Sequence, residues 1–248
     1  GEGNDDLSDN NGTSLLSGEA GDDTISVFSF GGGTNSFTLD GGDDNDTITF
    51  STSATSADFA SILGGDGDDV ITTAGGTGIA DGGAGADRFV LSGSSVALTY
   101  TLGTGVDTLE VQGSFSRFNL ADTTVTDFVA GAAGDILDLG AYYEGNLANW
   151  DGAENPFTSG HVRLFQSGGD VLVQIDRDGG GDSWTTLITL EGLTAAALTA
   201  ANFAGWGPSG AIPAGQTLNG TDAPQQINGG WLSGTKSPPC GERIIYLP

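Results

Sequence analysis

GGDGDDVIT (Gly64 to Thr72) and GGAGADRFV (Gly82 to Val90) decide how this chain is read. Both follow one nine-residue pattern, G-G-x-G-x-D-x-U-x, in which U is a large apolar residue. Looser copies flank them: GEAGDDTIS from Gly18, GGDDNDTIT from Gly41, LGTGVDTLE from Leu102, and an opening GEGNDDLS that lacks only its first position. Aligned on the sixth position, the six copies supply Asp5, Asp23, Asp46, Asp69, Asp87 and Asp107, at intervals of 18, 23, 23, 18 and 20 residues. Between successive copies lies a weaker nonapeptide that keeps the apolar position and loses the aspartate. The apolar series then runs Leu7, Leu16, Ile25, Leu39, Ile48, Ile62, Ile71, Ala80, Phe89, Leu98, Leu109 and Phe118. Insertions of five residues at Val27 to Gly31 and Phe50 to Ala54, and a short one at Tyr100 and Thr101, account for the longer intervals.

Two nonapeptides thus make one coil of 18 residues or slightly more, with every aspartate on the same edge. The pattern predicts that positions one to six turn and positions seven to nine form a short strand with U facing inward. Glycine at the first, second and fourth positions allows positive φ and leaves carbonyl oxygens free to face an ion. Coils stacked at the strand spacing of roughly 4.8 Å would hold the carboxylates about 5 Å apart. At that separation neighbours repel by roughly 1 kcal/mol in water and about 3 kcal/mol at an effective dielectric of about 20. Such a column needs cations. Calcium suits it, because it accepts about six to eight hard oxygen ligands in tolerant geometry, whereas magnesium holds a strict octahedron and keeps its waters. Turns that merely solvate a β-protein also favour Gly and Asp, but they would not share a register with an apolar residue two places after each aspartate. On the opposite edge the turns (NNGTSLL, TNSFTLD, ADFASIL, GGTGIAD, GSSVALT, QGSFSRF) lack the sixth-position carboxylate, so a single calcium row is expected.

Composition agrees. There are 33 acidic residues against 6 Lys plus Arg, a formal charge of −27, and 44 glycines. Such a charge destabilises a compact state unless something neutralises it, and it argues against nucleic acid or an anionic membrane as partner. The apolar content is too high for outright disorder. Cys240 is the single cysteine, so no intrachain disulfide can form. No apolar run is long enough for a transmembrane segment. The chain opens inside a nonapeptide at Gly1, without Met or a signal peptide, and reads as part of something longer.

Beyond Phe118 the period stops. The sequence divides into an array at 1–119, a β-rich region at 120–206, and a linker with a degenerate repeat-like tail at 207–248. The middle region opens with VTDFVAGAAGDILDLGAYY (Val125 to Tyr143), a turn-bounded strand pattern carrying Asp127, Asp135 and Asp138. Asp127 and Asp135 stand where they could help to close the last coil. Three β-runs follow, Val162 to Gln166, Val171 to Ile175 and Trp184 to Leu190, with turns at Gly168 to Asp170 and Asp178 to Asp182. LTAAALTAANFAGW offers a short helix with Thr194 as N-cap. The region would cover the open end of the stack. Asp176, Asp178 and Asp182 invite a second calcium site, but no glutamate sits where an EF-hand loop needs one, and a solvated hairpin turn is the expectation. The tail contains the sole lysine, Lys236, and matches nothing before it.

The array resembles the repeats-in-toxin (RTX) family of secreted proteins, whose nonapeptide is a known mark of calcium-binding parallel solenoids. T-D-F-x-x-G-x-x-G-D-x-L-D-L from Thr126 to Leu139, Q-I-D-R-D-G from Gln174, and L-E-G-L-T…L-T-A-A-N-F ending at Phe203 look like that family's C-terminal secretion-associated domain. The resemblance implies an all-β chain, a right-handed parallel β-roll with a small β-rich capping domain. It also implies folding on calcium after export through the type I secretion machinery of a Gram-negative bacterium. Positions one to four of each copy would then give carbonyl ligands, and the sixth-position aspartate would bridge neighbouring coils. The ligand set so implied is Gly1, Glu2, Gly3 and Asp5, then Gly18, Glu19, Ala20, Gly21 and Asp23, then Gly41, Gly42, Asp43, Asp44 and Asp46. It continues with Gly64, Gly65, Asp66, Gly67 and Asp69, with Gly82, Gly83, Ala84, Gly85 and Asp87, and with Gly103, Thr104, Gly105 and Asp107. Asp44 at a glycine position and Leu102 at a first position depart from the pattern.

Catalysis finds little support. His161 is the single histidine and opens a strand; no zinc-protease motif or G-x-S-x-G is present, and Cys240 has no histidine near it in sequence. The chain reads as a calcium-binding structural and secretion module rather than an enzyme. A segment of a calcium-dependent adhesin or surface-layer protein, with self-association or cell-surface contact, is one alternative. The tail of a secreted hydrolase is another.

Overall fold

The computed structural model describes residues 1–31, 34–53, 56–92, 97–112 and 123–208. The coils stack as two parallel sheets. One contains β1 (Asp6–Asp9), β3 (Thr24–Ser29), β5 (Thr47–Thr52), β7 (Val70–Ala74), β9 (Arg88–Ser92), β11 (Thr108–Gln112) and β13 (Ile136–Asp138), in that order. The other contains β2 (Thr13–Ala20), β4 (Ser36–Asp43), β6 (Phe59–Asp66), β8 (Thr77–Ala84), β10 (Ala97–Thr101) and β12 (Thr124–Val125), again each beside the next. This is a parallel β-roll in an almost wholly β chain. Parallel pairing sets like on like: Ile25, Ile48, Ile71, Phe89, Leu109 and Leu137 form one inward column. All six are buried. Each coil alone has one apolar face and no core, so burial is shared between neighbours.

The register departs from expectation at three places. First, β4, β6 and β8 run on through the third position of the following nonapeptide, so only positions four to six turn. Second, the insertions at Val27 and Phe50 lie in matching places in consecutive coils and lengthen β3 and β5. Val27 and Phe50 become a second inward layer, with the Phe50 ring centroid 6.0 Å from that of Phe37. Third, Tyr100 rather than Leu98 stacks on Ala80, while Leu98 stacks on Gly78. The small Ala80 is followed by a large ring that packs edge-on against Phe89 at 5.6 Å and hydrogen-bonds Thr73 at 2.7 Å. Phe118 lies outside the described residues.

Parallel stacking does not stop at Phe118. β12 pairs with β10 and β13 with β11, adding one more coil. Beyond it, β16 (Thr185–Leu190) pairs parallel with β12, and β15 (Asp170–Ile175) and β14 (Val162–Ser167) complete an antiparallel meander in the three runs expected. The strand pattern through Tyr143 breaks at helix α1 (Gly140–Asn146). Leu139, Tyr142 and Tyr143 sit at helical spacing and are buried, as is Asn146. The expected helix from Thr194 is instead two short 3-10 turns, Ala195–Ala197 and Ala200–Phe203. Thr194 makes no side-chain cap; at Thr199 the Asn202 side chain reaches back, its Oδ1 accepting the Thr199 N–H at 3.0 Å.

Tyr100→Phe is expected to leave the buried Thr73 hydroxyl without its partner and to cost about 1–3 kcal/mol. Urea unfolding in millimolar calcium measures this, and an unchanged midpoint would contradict the packing described.

Candidate metal centre

The sixth-position aspartates form one ladder. The backbone N–H of Asp5 donates to Asp23 Oδ1 at 2.6 Å, that of Asp23 to Asp46 Oδ1 at 2.7 Å, and that of Asp46 to Asp69 Oδ1 at 2.8 Å. Asp69 donates to Asp87 Oδ1 at 2.9 Å and Asp87 to Asp107 Oδ1 at 2.8 Å. A sixth rung follows and brings in a seventh aspartate, absent from the nonapeptide count: Asp107 N–H donates to Asp135 Oδ1 at 3.0 Å. Every member from Asp23 to Asp135 is at most 2% exposed. Each ladder bond occupies one carboxylate oxygen. Oδ2 of Asp23, Asp46, Asp69, Asp87 and Asp107 is buried with no hydrogen-bond partner.

The end of the column beyond Asp107 differs from the middle: Val129 N–H donates to Asp135 Oδ2 at 2.7 Å. The interior carboxylates have no such donor. Buried polar atoms are nearly always satisfied, so five orphaned oxygens in a row are where these residues could hold cations.

The first-position glycines frame it. A Cβ on Gly41 would fall well under 3.0 Å from both Asp46 Oδ2 and the Gly64 carbonyl oxygen. Gly18, Gly64 and Gly82 repeat the arrangement, facing the carbonyls of Gly41, Gly82 and Leu102. Carboxylate and carbonyl oxygens thus converge where a side chain would otherwise sit. Glycine at the first position therefore serves to keep this space open, not to allow positive φ, which falls at the second and fourth positions, Glu19 and Asp44 included. Leu102 is tolerated at a first position because the next coil is not a nonapeptide: Asp127 takes its place, accepting the N–H groups of Leu102 at 2.7 Å and Gly103 at 2.9 Å.

Electrostatics separates this edge from the opposite one. Burial pushes the Asp69 carboxyl up to about 7 and that of Asp87 up to about 6, with neighbouring column charges adding to the rise. Burial likewise raises Asp46, Asp107 and Asp135. On the opposite edge Asp58 is equally buried, but Oδ1 accepts Asn35 N–H at 2.8 Å and Oδ2 accepts the Thr52 hydroxyl at 3.0 Å. There burial is outweighed by hydrogen bonds, and the carboxyl lies below its ordinary value. Asp58 is a satisfied anion; the column carboxylates are not.

The other expected ligands are distributed as follows. Third-position carbonyls of Ala20, Asp43, Ala84 and Thr104 accept fourth-position N–H groups from the preceding coil, and the Gly83 carbonyl accepts Thr104 N–H. Gly3, Gly21, Asp44, Gly67, Gly85 and Gly105 lie in the stacked turns, Glu19, Gly65 and Asp66 in the strand ends that lead into them, and Glu2 bridges to Ala20. The fifth position holds a second ladder running the opposite way. Asp22 N–H donates to Asn4 Oδ1, Asn45 N–H to Asp22 Oδ1, Asp68 N–H to Asn45 Oδ1 and Ala86 N–H to Asp68 Oδ1, at 2.7–3.1 Å. The alternation of Asn and Asp at that position was its legible signal. His161 is buried with Nδ1 on the Ser159 hydroxyl at 2.7 Å and Nε2 on the Ala148 carbonyl at 3.0 Å, a structural histidine. Residues from 209 onward, including Cys240, lie outside the described residues, and among those described no helix is long and apolar enough to cross a membrane.

Fold and site together define a parallel β-roll with a column of part-satisfied carboxylates. No protein-family model and no curated protein matches the chain. Among solved structures, a subunit of the mannuronan C5-epimerase of Azotobacter vinelandii is 23% identical, covers 75% of this chain and 94% of its own, and has a TM-score of 0.26. With so low a score, the fold of this chain rests on its own strand pairing.

Two outcomes are expected. Without calcium, Asp69 and Asp87 hold protons in the fold up to about 7 and about 6, whereas unfolded they ionise near about 4. Between those values the folded state binds more protons, so stability falls as pH rises. Residual β-structure of the calcium-free chain, read by circular dichroism, should therefore fall between about pH 5 and about pH 8; a rise would contradict the raised values. In urea unfolding at saturating calcium, Gly64→Ala should cost about 1–3 kcal/mol by crowding Asp69 Oδ2, while Gly169→Ala, which meets nothing within 4 Å, stays near neutral.

Proposed function

We propose that this chain is a calcium-binding structural module of the RTX family, with ions held along the aspartate column. The observation that carries the reading is the row of five orphaned Oδ2 atoms, Asp23 to Asp107, the first four of them beside a carbonyl oxygen of the next coil. Asp5, Asp23, Asp46, Asp69, Asp87 and Asp107 would be the bridging ligands, with first-position carbonyls (Gly18, Gly41, Gly64, Gly82) and carbonyls of the second to fourth positions completing each shell. Calcium bound there supplies positive charge between anions that repel one another; the chain's own residues fix the oxygens.

Calcium that binds only the stacked coils stabilises them by mass action. Affinity in the range of extracellular modules, about 0.1–1 mM, would leave the roll unfolded at cytosolic calcium and folded outside the cell. Type I export and an extracellular location are proposed from the likeness of Thr126 to Leu139 and of the later motifs to the secretion-associated domain. Within the fold that stretch closes the column: Asp127 and Asp135 take the last amides, while Phe128, Leu137 and Leu139 enter the core.

A calcium titration by far-UV circular dichroism tests this, with magnesium as control. Cooperative gain of β-structure near millimolar calcium, absent with magnesium, is expected. Asp69→Asn keeps an oxygen for Asp46 N–H and removes the charge, and should raise the calcium midpoint several-fold. A chain equally folded with and without calcium would contradict the proposal.

A further inference from the structure

We propose that the loop from Asp176 to Ser183 is a second calcium site, outside the roll, held by Asp176, Asp178 and Asp182. It was expected to be a solvated turn. One carboxylate oxygen from each of the three lies within 4.8 Å of the others. Asp178 and Asp182 are exposed, but Asp176 is 0% exposed. Its Oδ2 accepts the N–H groups of Gly181 at 2.8 Å, Asp182 at 3.0 Å and Ser183 at 3.5 Å. Its Oδ1 is buried with no hydrogen-bond partner and is the oxygen left to the cluster.

A turn that only faced water would not bury a carboxylate oxygen unpaired beside two further carboxylates. Among the described residues no arginine or lysine forms an ion pair with any of the three.

The loop is fixed from beneath. Asp176 N–H donates to the His161 carbonyl at 2.8 Å, and Ala148 N–H donates to the Arg177 carbonyl at 2.7 Å. Gly179 lies against the His161 ring with no room for a Cβ. Aspartates at the first and third places and glycine at the sixth (Gly181, φ +76°) match the opening of an EF-hand loop. Its twelfth place is Leu187, not glutamate. Affinity should accordingly lie at the weak end of calcium modules, with water completing the open side.

Terbium, a luminescent calcium substitute, tests the site in the full chain. The Trp184 indole N–H donates to the Gly181 carbonyl at 2.8 Å, so Trp184 is placed to sensitise an ion in this loop. Tryptophan-excited terbium emission that calcium displaces, and that Trp184→Phe removes, is expected. Joint Asp178→Asn and Asp182→Asn, both exposed, should lower terbium affinity about tenfold or more with an unchanged circular dichroism spectrum. Asp69→Asn, which alters only the column, should leave the emission in place. Absence of sensitised emission, emission indifferent to the double variant, or emission lost with Asp69→Asn would each overturn the site. The circular dichroism spectrum, unchanged in each variant, separates loss of this site from loss of the roll.

Discussion

One hydrogen bond, repeated from coil to coil, governs this molecule. Each sixth-position N–H donates to the next coil's carboxylate, fixing the register and burying the group that accepts it. Only one of two oxygens is used. The other is delivered, dry and unpaired, to a gap kept open by a glycine and faced by a carbonyl of the following coil. The same bond that orders the stack therefore creates a charge problem, which on the proposed function a cation resolves.

The far end of the column makes the point by contrast. There a backbone amide, Val129 N–H, answers the last free oxygen. For the five before it the described residues offer no donor, although they supply two for Asp58 on the opposite edge. In a protein with a formal charge of −27, five buried carboxylate oxygens left unsatisfied must be answered by a proton or, on the proposed function, by a cation, which would tie stability to both pH and calcium.

Much of this was legible in the residues. The aspartate interval and the apolar residue two places on fixed the coil, its inward face and the edge that gathers charge. What the period left open did so for physical reasons. Asp135 could be assigned to the closing of the last coil, but it follows Asp107 by 28 residues, an interval no nonapeptide count anticipates, and its place as the next member of the ladder depends on three-dimensional stacking. Tyr100 displaced Leu98 because a small Ala80 beneath it leaves room for a ring, and volume complementarity does not show in a period. Helix α1 hid in a stretch whose apolar residues fit either an alternating or a helical spacing. The first-position glycine was understood as a conformational requirement, whereas backbone angles show a steric one. At Asp176 the residues suggested a second calcium site but favoured a solvated turn; the burial that separates the two comes from the His161 and Ala148 segments that pack under it.

The most direct measurement is anomalous diffraction from crystals of this chain grown with calcium and recorded at long wavelength, where calcium scatters distinctly. Peaks beside Oδ2 of Asp23, Asp46, Asp69, Asp87 and Asp107, each also near a carbonyl of the adjoining coil, are the expected result. An ordered column with no such peaks, its Oδ2 atoms paired with water or shared protons, would contradict the claim that cations hold the roll together.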